Sequence, residues 1–330
     1  MLYKDATMGA QATVLGASGY TGGELLRLLA GHPVVRVSAA AGGASAGQDV
    51  GAVHGALGPT YGEMTLGDAA AVAATPADVC FSCLPSGELG PLVERIAAPI
   101  VIDLADSFRG DASWIYGLTE FARDRLAGSS RIANPGCYPT ALLLGAIPFA
   151  RAGVIAGPVV VDALSGVSGA GRRAEARFSL GELHANVTAY GDVDHRHVPE
   201  MERGLKDLGG LETAVSFTPH LIPIARGLLA TVRARLTTSL SAEDALEVLA
   251  DAYGGEPFVS VVASWPEAKW AAGTNRAFVS ARVDPRAEMV VISTALDNLG
   301  KGAAGQAIQN ANVALGQDET CGLEATGLWP

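Results

Sequence analysis

The chain has 330 residues, which at about 150 residues per domain gives two domains. Hydrophobic types make up 49% of it and charged types 17%, a composition that excludes a disordered or fibrous protein. Its 23 basic and 34 acidic side chains leave a net charge of -11, and with no Lys/Arg run to offset that field nucleic acid is excluded as a partner. Apolar runs such as residues 141–150 are cut by Gly145 and Pro148 well short of the ~20 residues that cross a bilayer, so no membrane span is expected. The stretch around Lys4 and Asp5 lacks the apolar core and cleavage site of a secretory leader, and a cytosolic chain is expected. Four cysteines make no disulfide framework.

In chain order, residues 13–16 read as a short apolar strand, followed by a helix to Ala30 and strands at 35–40, 79–84 and 100–104. That alternation predicts a parallel sheet with crossover helices, an α/β first domain. Beyond about residue 155 the texture becomes β-rich, with runs at 159–164, 214–218, 228–236, 258–263, 277–283 and 289–296 and few helices between, which predicts an α+β second domain. Ser241 with Asp244 three residues on forms a capping-box pattern for a helix ending before Gly254. A last helix over 303–315, stopped by Gly316, follows the loop Asp297-Asn298-Leu299-Gly300-Lys301-Gly302.

Gly16-Ala17-Ser18-Gly19-Tyr20-Thr21-Gly22 lies between the first strand and a helix carrying Leu25, Leu26, Leu28 and Leu29. Glycines there let the backbone approach a pyrophosphate, which the helix-start N–H groups and dipole then hold. The pattern is G-x-x-G-x-x-G, and a tight turn can use glycines for sterics alone. An NAD site would set Asp or Glu after the second strand, about 20 residues past the glycines. The chain instead reads Ser38-Ala39-Ala40-Ala41-Gly42-Gly43-Ala44-Ser45, with room for a 2′-phosphate and donors from the backbone around Gly42 and from Ser45. NADP(H) is therefore the expected cofactor.

Asn134-Pro135-Gly136-Cys137-Tyr138-Pro139-Thr140 sets one thiol just before an apolar helix that begins near Pro139. In front of unpaired helix-start N–H groups a thiolate is stabilised, which makes Cys137 the candidate nucleophile rather than a small apolar filler. Cys80 and Cys83, three apart on a predicted strand, point to opposite faces and suit neither a metal nor a disulfide. Asp194-His195-Arg196-His197-Val198-Pro199-Glu200 is the densest titratable cluster. Its two histidines lack further ligands at a recognised spacing (His184 and His220 are the nearest), so no metal site is expected. A thiolate attacking an acyl group needs a proton acceptor and later a donor, a need that a histidine oriented by Glu200 meets, with His195 and His197 equally eligible on chemistry alone.

These motifs, together with Ser165-Gly166-Val167-Ser168-Gly169-Ala170-Gly171-Arg172, Ala189-Tyr190, Phe217-Thr218-Pro219-His220-Leu221-Ile222-Pro223, Arg226-Gly227 and the 297–302 loop, resemble the N-acetyl-gamma-glutamyl-phosphate reductase family nearly end to end. The resemblance implies a Rossmann-type dinucleotide-binding domain over 1–138 and 300–330, and an α+β catalytic and oligomerisation domain of the semialdehyde dehydrogenase type over 139–299. It implies NADPH-dependent reduction of a small anionic acyl phosphate through a thioester on Cys137, in arginine biosynthesis, and it selects His195 as the acid/base, with Glu200. By the same carry-over Arg109, Asn134, Ser165, Gly166, Arg172, His197 and Arg226 would bind substrate, although each arginine has a structural ion pair as its alternative. Pro85 (in Leu84-Pro85-Ser86-Gly87), Ser168, Gly169, Asn298 and Gly302 would join Gly16, Ser18, Gly19, Tyr20, Thr21, Gly22, Gly42 and Ser45 around the cofactor. A homo-oligomer is expected. The nearest rival activity is reduction of a carrier-linked aminoadipyl phosphate in lysine biosynthesis, for which the chain shows no basic carrier-docking run. A noncatalytic dinucleotide-binding regulator would need none of Cys137, His195 and the arginines.

Overall fold

The structure, a computed structural model, describes residues 9–172, 175–191 and 193–328. Lys4 and Asp5, on which the leader reading rests, lie outside them. The chain divides into two compact units: the described residues as far as Pro135 together with Ala303–Glu324, and Gly136–Gly302 with the chain from Ala325 onward. Two of the cuts fall three residues from the expected ones, and a third, after Glu324, was not expected. The shift moves Cys137 from the end of the first domain into the second unit, because the helix that it opens packs among that unit's strands.

The first unit is built on a six-stranded sheet, every pair of which is parallel: β1 (Ala10–Leu15), β2 (Val35–Ala40), β3 (Val79–Ser82), β4 (Ile100–Asp103), β5 (Ile115–Tyr116) and β6 (Arg131–Ala133). The order β2-β1-β3-β4-β6-β5 reverses direction between β1 and β3, the switch point at which open α/β sheets hold ligands. Helix α1 (Tyr20–Ala30) follows β1 and buries Leu25, Leu26, Leu28 and Leu29, the apolar positions expected of it. Helix α2 (Thr119–Leu126) precedes β6. Cys80 lies in a core cluster with Leu15, Val101 and Trp114.

In the second unit a mixed seven-stranded sheet runs β11-β12-β13-β10-β7-β9-β8. Its strands are β7 (Ile155–Gly166), β8 (Thr188–Ala189), β9 (Val215–Ile222), β10 (Leu228–Leu236), β11 (Val259–Val261), β12 (Ala277–Asp284) and β13 (Met289–Leu296). Along β10, Leu228, Ala230, Val232 and Ala234 are buried, whereas Leu229, Thr231 and Arg233 between them are half-exposed. That period of two gives one face to a helical layer and leaves the other partly open. The layer consists of α3 (Cys137–Arg151), α4 (Val198–Gly209) and α5 (Ala242–Tyr253). The Ser241 and Asp244 capping box forms as the pattern predicts. Helix α3 starts at Cys137 instead of Pro139, so Pro139 sits at the third helical position, where a missing N–H still costs nothing.

Two glycines set how closely this layer packs. A Cβ on Gly145 would meet Thr294 Oγ1 at 3.0 Å, and one on Gly204 would meet Leu143 Cδ1 at 2.5 Å, so α3 seats directly on β13 and α4 directly on α3. The chain then passes through a wide π-type turn at Gly300–Ala304 into α6 (Gly305–Ala314), which belongs to the first unit. The turn takes the residues expected to open the last helix, because its two glycines accept the wider backbone. Helix α6 buries amides as well as alkyl groups: Asn310 donates to Gly117 O (2.8 Å) and to Asn134 Oδ1 (3.0 Å), and accepts from Thr119 Oγ1 (2.7 Å). Replacing Gly204 by Val is expected to overpack the α3–α4 contact and cost about 1–3 kcal/mol. A urea midpoint lowered with an unchanged slope is the expected result; an unchanged midpoint would mean that the two helices do not rely on that approach.

Candidate active site

Two helix starts build the site. Gly136 is the N-cap of α3 and Cys137 its first residue; no side chain caps the Gly136 end, and Thr140 turns its hydroxyl back to Gly136 O at 2.8 Å. The start of α3 and the positive end of its dipole therefore lie at the thiol. Helix α4 begins beside it, with His197 at its N-cap, His195 two residues earlier and Glu200 in its first turn. Glu200 is buried, and its Oε1 accepts the Gly136 N–H at 2.8 Å. On the other side, Gly302 lies so near that a Cβ there would stand 2.7 Å from Cys137 Cβ.

The expected pairing of His195 with Glu200 is not formed. His195 Nδ1 accepts the His197 backbone N–H at 3.2 Å, which fixes the ring proton on Nε2, while Glu200 serves the residue preceding the thiol. Burial, and secondarily the Arg196 charge, hold the His195 pKa below its ordinary value, so the ring is neutral at pH 7. His195 stands edge-on to Phe217 (5.2 Å between centroids) and Tyr138 (6.0 Å). Tyr138 and Tyr190 share a hydroxyl–hydroxyl bond of 2.7 Å, and burial raises the pKa of both phenols, so they remain neutral.

Cys137, Ser165, Gly166, Gly169, His195 and His197 all line one cavity of about 580 Å³ in the second unit. Others expected at the site are placed elsewhere. Asn134 is fully buried in the first unit, with Oδ1 accepting from Asn310 and Nδ2 donating to Ala303 O at 3.1 Å, bonds that tie its side chain to the chain leading into α6. Arg109 spends Nε on Asn134 O and Nη2 on Leu104 O, both at 2.9 Å. Arg226 gives Nη2 to the buried Asp297 carboxylate at 2.7 Å, the structural ion pair that was its alternative. Asp297 also accepts from the Leu299 N–H (2.9 Å), and its own carbonyl takes the Gly302 N–H (2.9 Å), so this pair shapes the loop that backs the thiol. Arg172 is exposed and does not line the cavity. The sequence reading gave no role to Tyr138 and Arg177, both of which line it; Tyr138 was in view as the residue after the thiol, whereas nothing around Arg177 signals a site.

The glycine turn fits a dinucleotide. Gly16 has φ +73°, and a Cβ on it would meet Cys83 O at 2.5 Å; a Cβ on Gly22 would meet Gly16 O at 2.4 Å. Gly19 is the N-cap of α1, without a side-chain cap, and Tyr20 and Thr21 open the helix with Gly22, leaving N–H groups for a pyrophosphate. Ser18 Oγ donates to Gly42 O at 2.8 Å, fastening this turn to the segment after β2, where Ser45 closes a short helical turn and no carboxylate stands. Pro85 follows β3, just before Ser86, which bonds to Asp106. Within the second unit Asn298 donates to Ser168 Oγ at 2.9 Å and accepts the Gly227 N–H at 2.8 Å.

A nucleotide turn at the switch point of one unit and a helix-start cysteine beside a neutral histidine in the other define the class. Family models of the semialdehyde dehydrogenase NAD binding domain and dimerisation domain match residues 11–129 and 137–298. The aspartate semialdehyde dehydrogenase II of Vibrio cholerae, complexed with ASA, has the same fold: TM-score 0.75, 18% identity, 94% of this chain and 99% of that one covered. The enzyme of Candida albicans, solved with NADP, gives a TM-score of 0.70 at 20% identity, covering 92% and 98%. Proteins named N-acetyl-gamma-glutamyl-phosphate reductase from Frankia casuarinae (43% identical) and Acidothermus cellulolyticus (42%) align over 98% of this chain and 100% of their own length. The chain belongs to the N-acetyl-gamma-glutamyl-phosphate reductase family within the semialdehyde dehydrogenases. Among the described residues no helix is long and apolar enough to cross a membrane.

Glu200→Ala is expected to leave the buried Gly136 N–H without its acceptor and to cost about 1–3 kcal/mol in urea unfolding. Glu200→Gln keeps an oxygen there and should remain near wild type in both stability and turnover. Equal losses in the two variants would show that charge, and not the bond to Gly136, is what matters.

Proposed function

We propose that the chain carries out the reaction for which its family is named: NADPH-dependent reductive dephosphorylation of N-acetyl-L-glutamyl 5-phosphate to N-acetyl-L-glutamate 5-semialdehyde, in arginine biosynthesis. The observation that carries this reading is the Cys137 thiol, set at the first position of α3 in a cavity shared with the neutral His195 ring. The glycine turn of the first unit would hold the cofactor's pyrophosphate, and the carboxylate-free segment Gly42 to Ser45 would receive a 2′-phosphate.

Cys137 attacks the acyl carbon as a thiolate supported by the helix-start N–H groups. The C–S bond forms as the C–O bond to phosphate breaks, the proton that the thiol gave up goes to the departing phosphate, and the acyl group is held as a thioester. The reduced nicotinamide group, when bound, supplies the hydride that converts this thioester to a thiohemiacetal oxyanion. Collapse of the oxyanion releases the aldehyde and restores the thiolate. In both tetrahedral species the negative charge falls on the former carbonyl oxygen, and the His195 Nε2–H is a donor for it. His195 thus works first as a hydrogen-bond donor, and Glu200 works by holding Gly136, ahead of the nucleophile. The dimerisation-domain match and the half-exposed face of β10 support self-association, and the absence of a membrane-crossing helix among the described residues suits a cytoplasmic enzyme.

The test runs the reaction backward: N-acetylglutamate semialdehyde, inorganic phosphate and NADP should yield NADPH only when all three are present. Turnover without phosphate would contradict the acyl-phosphate step, and turnover of only a carrier-bound aldehyde would favour the lysine-pathway activity. Cys137→Ser should lose nearly all turnover while still binding NADPH. His195→Ala should lower kcat by about 10²–10³, the range for removing one oxyanion donor, and His195→Gln, which keeps an N–H, should fall less. If His195→Gln matches His195→Ala, the ring acts through proton transfer instead.

A further inference from the structure

The reaction proposed above has a substrate with two anionic ends, an acyl phosphate and a distal carboxylate, and the inference that follows rests on that reading. The arginines best placed by sequence are committed elsewhere: Arg109 to two backbone carbonyls and Arg226 to Asp297. Among the described residues, the guanidinium groups that line the cavity of Cys137 are Arg177 and Arg196, with Glu182 as the opposing carboxylate. Both arginine charges act on the Tyr190 phenol, which bonds to Tyr138, the residue after the nucleophile. Their field therefore reaches the reacting end of the cavity.

The two cations are not equivalent. Arg196 follows His195 directly, and its charge depresses that ring's pKa, so it belongs to the reacting end. Arg177 stands on a separate short turn, Ala176–Phe178. Its Nε is held by Glu175 Oε2 at 2.8 Å, and its guanidinium lies 4.6 Å from the centroid of the Phe178 ring. Those contacts fix the plane of the group while leaving Nη1 and Nη2 without a partner among the described residues. A guanidinium held in this way presents two parallel N–H donors, the geometry that matches a carboxylate. Phe178 and Leu183, on the same stretch of cavity wall, offer apolar surface to the methylenes and acetyl group between the two anionic ends.

We propose that Arg177 determines substrate specificity by binding, through Nη1 and Nη2, the carboxylate at the far end of the acyl phosphate. The experiment compares N-acetylglutamate semialdehyde with 4-acetamidobutanal, the same aldehyde without its carboxylate, in the phosphate- and NADP-dependent direction. Arg177→Met should raise KM for the carboxylated aldehyde about 100-fold, the worth of two charge-assisted bonds, with little change in kcat and none in the kinetics of 4-acetamidobutanal. Arg177→Lys, which keeps the charge and loses the fork, should fall between. Because Arg177 is exposed, the thermal midpoint of both variants should match wild type. Equal losses on the two aldehydes, or no loss on either, would overturn the assignment while leaving the acyl-phosphate reading intact. A wild-type enzyme inert toward N-acetylglutamate semialdehyde would remove that reading, and this assignment with it.

Discussion

A buried carboxylate bonded to the amide in front of the nucleophile organises the catalytic half of this molecule. Glu200 sits in the first turn of α4 and takes the Gly136 N–H, so the start of α3 is tied to the start of α4. That bond, with the Tyr138 ring set edge-on to His195, joins the two segments from which the chemistry comes, the thiol on α3 and the imidazoles that lead into α4. A buried acceptor of this kind is costly to lose, since the amide it serves has no water to turn to. Gly302 closes the other side against Cys137, and the Arg226–Asp297 pair shapes the loop that carries it. Cys137 is thus approached closely by the Gly302 backbone and lines the cavity.

The same economy explains the fate of the arginines. In a chain of net charge -11, an arginine that finds a buried carbonyl or carboxylate during folding stays there, as Arg109 and Arg226 do. What remains along the cavity is Arg196, next to His195, and a guanidinium on a surface turn, beside a neighbouring carboxylate and an aromatic face. Arg177 is the second group, and its exposure lets its Nη1 and Nη2 meet a ligand while Nε stays on Glu175.

Much of this was legible before the structure. The glycine turn, the Leu25 to Leu29 face of α1, the Ser241 capping box and the helix-start cysteine are local patterns whose physics acts within one or two turns of chain. The very short strands β5 and β6 were missed, because two or three residues carry no periodicity. The partner of Glu200 was misread for a different reason: a histidine and a carboxylate five residues apart look like a pair in one dimension, yet the acceptor turns to an amide 64 positions away. The partners of Asn134 were equally out of reach, since its interior bonds come from α6 and from Ala303, beyond any window of sequence. Arg177 had no signature at all; only the cavity wall marks it.

The interruption of the first unit by the second has a bearing on how the protein is made. The polar interior of that unit is completed by Asn310, whose bond to Asn134 spans 176 residues, and at 5–20 residues per second a ribosome needs about 10–35 s to cover that interval. Until then Asn134 and the Gly117 carbonyl lack the donor that satisfies them, while the intervening unit already has its sheet and helices in hand. Synthesis therefore favours an order in which the catalytic unit matures first and the nucleotide unit is sealed last.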